Sequence, residues 1–344
     1  MFKPNYTITN KLLVNIKRIN QLVNELNLHH FPHVVLVELQ KNAEEVSTYA
    51  STSIEGNPLP LTDVKEIIKT RPQNIQASEQ EVLNYNEILK EINVKLNKEI
   101  VFFTVKFILF IQKKVTLKLL PSFQSGQFRK DAIFVNDPRL QKTIYWPPDH
   151  KDVQKLVEDL VNFVKSNKNI IDPLILAGIF HKQMVIIHPF MDGNGRTTRL
   201  ATKILLAEMG LDTFSLFSFE NYYNKNVTEY FEMVGVKGNY YDIYLKIDFT
   251  LWLEYFTDGI IDELLRVEKN LSQKTITPRT QLEQYHLKIL EFIKQKEFIT
   301  DRQYSKLVKR ARATRHLDFK KLKKLGLIVM KGKNKGSYYV SSKK

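Results

Sequence analysis

The chain has 344 residues, 43% of them hydrophobic and 26% charged, and no cysteine. This describes an ordinary globular protein of two or three domains, and it excludes disulfides and thiolate metal sites. The net charge is +15, and residues 275–344 hold 19 Lys and Arg against 5 Asp and Glu, so this one segment carries +14. Charge gathered in one segment points to a separate module with a polyanionic partner. The absence of cysteine fits a reducing compartment. The first residues have no apolar export-signal core, and no apolar run approaches the roughly 20 residues of a membrane span. The expectation is a cytoplasmic protein without a membrane segment.

Residues 11–27 (KLLVNIKRINQLVNELN) place Leu12, Leu13, Ile16, Ile19, Leu22, Val23 and Leu26 on one helical face. Leu28 to His33 holds three histidines, but Pro32 marks a loop and no nearby carboxylate completes a metal site. A second helix is predicted from Val34 to about Glu55, ended by Gly56 and Pro58. Ser51 and Glu55 are four apart and share a face. An acid at a helix C-terminus is opposed by the dipole, so Glu55 calls for a cationic partner. Thr62 is placed to cap a short helix ending near Lys69. Ser78 with Glu81 has the spacing of a capping box, for a helix to about Leu96. Ile100 to Ile111 reads as a buried helix despite Lys106. Between Gly126 and Pro148 the pattern changes: Ala132–Val135 and Thr143–Trp146 are β-rich, with Asp137-Pro138 between them, and predict a hairpin. Val153 to Val164 is helical again.

Leu174 to Ile187 (LILAGIFHKQMVII) has apolar residues at helical spacing, and so does Leu200 to Met209, closed by Gly210. Between them lies His188 to Arg199, HPFMDGNGRTTR. These residues make a tight loop and the first turn of a helix. Phosphate chemistry has a use for such a place. Gly193 and Gly195 let backbone N–H groups come close to a ligand, and a helix N-terminus favours an anion. Asp192 is a hard oxygen ligand suited to Mg²⁺ beside phosphate. Arg196 and Arg199 can fork onto phosphate oxygens. His188 can take a proton near neutral pH.

Phe219 to Val234 is rich in Tyr and Asn, and Tyr241 to Val267 is amphipathic and helical. Leu271 to Thr277 reads as a linker before Pro278. A helix over 283–299, a second capped by Asp301 and running through Val308, and a basic third over Ala313–Leu325 follow. Leu327–Met330 and Ser337–Val340 are predicted to pair across a basic tip. This order resembles a winged helix, a helix-turn-helix variant whose third helix enters the DNA major groove. The alternative is a protein-binding module whose charge serves solubility.

H-P-F-x-D-G-N-G-R-x-x-R is the signature of the Fic (filamentation induced by cAMP) family, and His188 to Arg199 resembles it at every fixed position. The only departures nearby are Met184 and Thr198, at positions that carry no chemistry. The resemblance extends to Gly126, Gln127, Phe128 and Arg129, which with Tyr145–Pro148 are similar to the family's target-holding flap. It extends also to Asn221–Phe231, where it puts Asn226 at the nucleotide and Tyr223 beside adenine. Ser51 to Gly56 resembles the family's inhibitory motif (S/T)-x-x-x-E-(G/N), with Ser51 and Glu55 as its fixed residues. The resemblance implies a mainly α fold: a Fic-type helical core with a small β-hairpin flap, plus a C-terminal winged helix-turn-helix domain. The expected domains are 1–105, an N-terminal helical region with the inhibitory helix; 106–270, the catalytic core; and 280–344, the winged helix.

The activity implied is transfer of AMP from ATP to a Tyr, Thr or Ser hydroxyl of a target protein, with Mg²⁺ as cofactor and ATP as co-substrate. In that scheme Asp192 holds Mg²⁺; Gly193, Asn194 and Gly195 cradle phosphates; Arg196 serves the β-phosphate and Arg199 the γ-phosphate; and His188 is the base. Two alternatives stay open: transfer of a different phosphate-linked group, and a DNA-binding regulator whose core senses a nucleotide. Oligomeric state, homo-oligomers included, stays open as well.

Overall fold

The computed structural model describes residues 2–28, 33–96, 103–137, 141–273, 282–332 and 337–342. The histidine-rich stretch at 29–32, the start of the apolar run at 100–102, Pro138 of the hairpin turn, most of the linker (274–281) and the basic tip at 333–336 lie outside the described residues. The chain forms two compact units, one from residues 1–29 and 43–267, the other from 30–42 and 268–344.

The first unit opens with α1 (Asn10–Leu28), whose stripe Leu12, Ile19, Leu22, Val23 and Leu26 is buried. The next helix, α2 (His33–Ile54), contributes its residues from 43 onward to this unit and its earlier residues to the other. Next come α3 (Leu61–Thr70) and α4 (Ala77–Leu96). The residue before α3 is Pro60, so Thr62 lies within the first turn instead of capping it. Ser78 is likewise inside α4, where Glu79 accepts the Gln76 N–H at 2.7 Å; Glu81 is left for another partner.

The next helix, α5 (Val105–Val115), is capped by the Thr104 side chain on the Phe107 N–H. A hairpin follows, of β1 (Val135–Asp137) and β2 (Lys142–Trp146), and α6 (His150–Asn167) comes after it, N-capped by Asp149.

The middle of this unit is α7 (Pro173–Ile187). Asp172 caps it, Pro173 starts it, and nearly every residue is buried, so it is apolar all round rather than on one face. It packs on α6 and on α8 (Asn194–Leu206), while α5 packs on α8 and on α4. After α8 come α9 (Glu220–Lys225), α10 (Val227–Val234), β3 (Gly238–Asn239), α11 (Tyr240–Ile243) and α12 (Thr250–Gln273). The helical reading of 241–267 is thus broken by a loop before Thr250. The close fit of α12 on α7 needs Gly178: a Cβ there would meet Leu253 at 2.6 Å, and the Gly178 carbonyl accepts the Trp252 indole N–H at 2.7 Å. β3 joins β2 in parallel, giving a sheet of order β1-β2-β3.

The second unit contains α13 (Gln284–Lys296), β4 (Phe298–Ile299), α14 (Asp301–Leu307), α15 (Arg312–Lys324), β5 (Ile328–Lys331) and β6 (Tyr338–Ser341). The predicted helix over 283–299 stops at Lys296, because Phe298 and Ile299 pair with β6 as a third strand, in the order β4-β6-β5. Thr300, not Asp301, caps α14, in a capping box with Gln303. Ile289, Ile293, Tyr304, Phe319, Leu322 and Tyr339 form the core, with Phe319 and Tyr339 stacked at 4.0 Å. Among the described residues no helix is long and apolar enough to cross a membrane.

Candidate active site

The site is built where α7 ends and α8 begins. His188 terminates α7 in the left-handed region, at φ 49°, so the chain turns sharply there. Asn194 fixes the loop's shape: its Oδ1 accepts the Phe190 N–H at 2.9 Å and its Nδ2 donates to the Phe190 carbonyl at 2.8 Å. The Asn194 side chain thus braces the loop, and its backbone N–H lies in the first turn of α8. Gly193, at φ 79°, is the residue before α8, and the first N–H groups of α8 have no partner within the helix.

The flap residues tie the loop from outside. Arg129 is buried; its Nε donates to the His188 carbonyl at 2.9 Å, its Nη2 to that of Pro148, and its backbone N–H to Pro189 at 3.0 Å. Phe128 stacks on Phe190, with ring centroids 6.0 Å apart. Gly126 takes φ 75° and donates its N–H to the Gln112 side chain, and Gln127 is exposed. The hairpin itself lies further on, anchored by the Tyr145 hydroxyl donating to the Ile186 carbonyl at 2.9 Å.

The electrostatics set out the chemistry. His188 Nδ1 lies 3.3 Å from the Val185 carbonyl; with Nδ1 donating, Nε2 is the bare lone pair. Burial lowers the imidazole below its ordinary value, outweighing the Val185 carbonyl, Glu55 and Asp192, so the ring is neutral at pH 7. Asp192 Oδ1 accepts from the Gly193 N–H at 2.6 Å and from Arg196 Nη2 at 2.8 Å, and its side chain is 47% exposed. One exposed carboxylate fits Mg²⁺ that takes its other ligands from phosphate and water. No group of three or more His, Cys, Asp or Glu side chains that could hold a metal ion occurs among the described residues.

Arg199 is fully buried. Its Nε donates to Ser51 Oγ at 2.7 Å, and its Nη2 donates to the Ser51 carbonyl at 2.8 Å and to Glu55 Oε1 at 2.7 Å. Burial works against its charge, but the Glu55 carboxylate, together with the Tyr230 and Tyr85 hydroxyls, more than offsets this and holds the guanidinium above its ordinary value. Arg199 thus also caps the C-terminus of α2, where a cation suits the helix dipole. The Glu55 carboxylate lies against Gly195 so closely that a Cβ there would meet Oε1 at 2.0 Å. A carboxylate therefore occupies the anion position at the start of α8.

Two more predicted residues lie on α9 and immediately after it. Tyr223 is fully buried and stacked on Tyr230 at 4.5 Å and near Tyr255 at 5.9 Å, so its ring is a core element. Asn226 is exposed and caps α10 through the Glu229 N–H at 3.2 Å.

Sequence reasoning missed two residues. Gln112, fully buried, donates to the Asp192 carbonyl at 3.1 Å; a polar residue on the apolar face of α5 was the available signal. Glu81 pairs with Arg196 at 2.7 Å, and nothing in its spacing distinguished this from a cap. Burial pushes the Glu81 carboxyl up, with Arg196 pulling it the other way.

A helical core that brings a helix N-terminus, two arginines and a neutral imidazole together around one loop is an arrangement able to bind phosphate. Residues 102–206 match the family model described as Fic/DOC family, and this stretch contains the whole loop. The chain is 31% identical over 166 residues to the protein adenylyltransferase Fic of Nematostella vectensis, covering 47% of this chain and 37% of that protein. It is 30% identical over 198 residues to the protein of the same name from Aedes aegypti, covering 56% and 38%. The chain thus spans under half the length of the curated relatives it matches. A Fic family protein from Desulfovibrio desulfuricans G20 superposes with a TM-score of 0.65 at 18% identity, covering 100% of this chain and 99% of the other. A Fic-domain protein from Bacteroides thetaiotaomicron gives 0.59 at 18% identity, over 76% and 98%. The fold is therefore mainly helical and of the Fic type.

Proposed function

We propose that this protein is a protein adenylyltransferase that moves AMP from ATP to a Tyr, Thr or Ser hydroxyl of a target protein, held in check by Glu55. The observation that carries this reading is the pairing of a bare imidazole Nε2 with an anion position at the start of α8. The target hydroxyl oxygen attacks the α-phosphorus, the α–β P–O bond breaks, and pyrophosphate leaves. The hydroxyl proton passes to His188 Nε2. Arg196 and Arg199 hold the β- and γ-phosphates, and the backbone N–H groups of Asn194 and Gly195 meet phosphate oxygens, joined by that of Gly193 when it leaves the Asp192 carboxylate. Asp192 holds Mg²⁺, whose chemistry is to neutralise phosphate charge. The names of the curated relatives support the same activity. Incubation of Glu55→Gly protein and a lysate with ATP labelled at the α- or γ-phosphate tests it. We expect protein-bound label from α-labelled ATP only; label from γ-labelled ATP would mean phosphate transfer instead.

In this reading residues 1–105 carry the inhibitory helix, 106–270 the catalytic core, and 280–344 a winged helix that binds duplex DNA. One observation favours the last of these: Arg312, His316, Lys320, Lys323 and Lys324 are all exposed on α15. Arg315 is excluded from that surface role, being forked onto Asp301 by two 2.8 Å bonds. Full-length protein should bind duplex DNA with affinity that falls steeply with salt. Lys320→Glu with Lys324→Glu should make the log–log slope shallower by about 2, one unit per lost phosphate contact. Absence of binding at low salt would remove the DNA reading and leave a protein-binding module.

A further inference from the structure

Glu81 lies in the first turns of α4, and both its carboxylate oxygens are held. Oε1 takes Arg196 Nη1 at 2.7 Å, and Oε2 takes the Asn57 side-chain N–H at 2.7 Å. Asn57 is itself fixed. The same amide donates to the Ser78 carbonyl at 2.9 Å, and its Oδ1 accepts the Leu59 N–H at 3.2 Å. The Arg196 side chain is only 5% exposed, and its other partner is Asp192. The guanidinium is therefore stretched between two carboxylates, one on each Nη, while its Nε–H has no partner among the described residues.

The two carboxylates differ in what a nucleotide does to them. Asp192 is half exposed and faces the loop, so a metal–nucleotide complex competes for it. Glu81 is 14% exposed and stays behind Arg196. An arginine side chain alone is long and mobile, and a site works only when such a group is locked by its neighbours.

We propose that Glu81 is a positioning residue: it holds Arg196 in the orientation that meets the β-phosphate, and through Asn57 it links that orientation to the segment that follows Glu55. This rests on the reading of Arg196 as a phosphate ligand. Glu81 touches no reacting atom; its effect is confined to the phosphates that Arg196 reaches.

That confinement is the test. In the Glu55→Gly background, affinities for ATP and for AMP are measured with the parent, Glu81→Ala, Glu81→Gln and Arg196→Ala. Loss of one charge-assisted bond corresponds to about tenfold in affinity. Glu81→Ala should weaken ATP about tenfold, raise the KM for ATP more than it lowers kcat, and leave AMP affinity unchanged. Glu81→Gln, which still accepts from Arg196, should recover most of the loss. Arg196→Ala should show the same ATP-selective loss, at least as large. If Arg196→Ala weakens ATP but Glu81→Ala does not, the positioning role is wrong and the phosphate role of Arg196 stands. If Arg196→Ala affects ATP and AMP alike, the reading of the site fails and takes this proposal with it. Equal weakening of ATP and AMP by Glu81→Ala alone would mark a purely structural residue. Faster turnover in Glu81→Ala would make the residue a second lock. Either of these last outcomes also overturns the proposal.

Discussion

Glu55→Gly should raise AMP incorporation by about ten- to a hundredfold over the wild type. The carboxylate of Glu55 takes one bond from Arg199 at 2.7 Å and lies against Gly195, in the place that the proposed mechanism gives to the γ-phosphate. A hydrogen bond to a charged group contributes about 1.5–3 kcal/mol, and about 1.4 kcal/mol is a factor of ten. The chain tolerates glycine at this point, since α2 ends at Ile54 and residue 55 already lies in a turn closed by the Thr52 carbonyl. Arg199 keeps two bonds to Ser51, but its buried charge loses its carboxylate. Removing one partner of a buried pair costs up to about 3–5 kcal/mol, less here because the Glu55 side chain is 27% exposed and water can take its place. The variant should therefore melt a few degrees lower without nucleotide and gain more than the wild type when Mg²⁺ and ATP are added. Arg199→Ala should not activate, because it removes the phosphate fork along with the lock. Equal labelling of wild type and Glu55→Gly would sink the inhibitory role of Glu55.

Local chemistry decided what could be read in the chain. The loop was legible because glycines, a histidine and arginines fall together between two apolar helices, and each residue type has one strong local use. The need of Glu55 for a cation was legible from the helix dipole alone. Arg129 was singled out by resemblance only, and its side-chain bonds to the His188 and Pro148 carbonyls, on distant segments, have no local sign. Glu81 shows the opposite problem. Its spacing from Ser78 fits a capping box, yet α4 begins one residue earlier and Glu79 supplies the cap, which frees Glu81 for an arginine 115 positions further along. Tyr223 and Tyr230 share a helical region rich in aromatics, and only the packing of α12 beneath them shows which rings are core. The third strand of the second unit was hidden because two residues, Phe298 and Ile299, carry no period of their own.

His188→Ala, made in the Glu55→Gly background, should abolish most of the gained activity, by about 10²–10⁴-fold, with ATP affinity nearly unchanged. Among the described residues His188 forms no ion pair: Nδ1 faces the Val185 carbonyl and the loop is held by Asn194 and Arg129, so its side chain is not needed to shape the loop. The backbone there is left-handed, which alanine accepts less readily, so a small loss of stability is expected and a melting curve separates it from the loss of rate. The pH profile gives a sharper readout. A base works deprotonated, and burial holds this imidazole below its ordinary 6.5 while the Glu55 carboxylate pulls it up. For kcat/KM, which reports the free enzyme, the acid limb should fall below pH 6.5 in the wild type. In Glu55→Gly the upward pull of that carboxylate is gone, so the limb should move to still lower pH. A limb that stays put, or moves up, would show that another group titrates, and substantial labelling by the double variant would show that His188 is not the base.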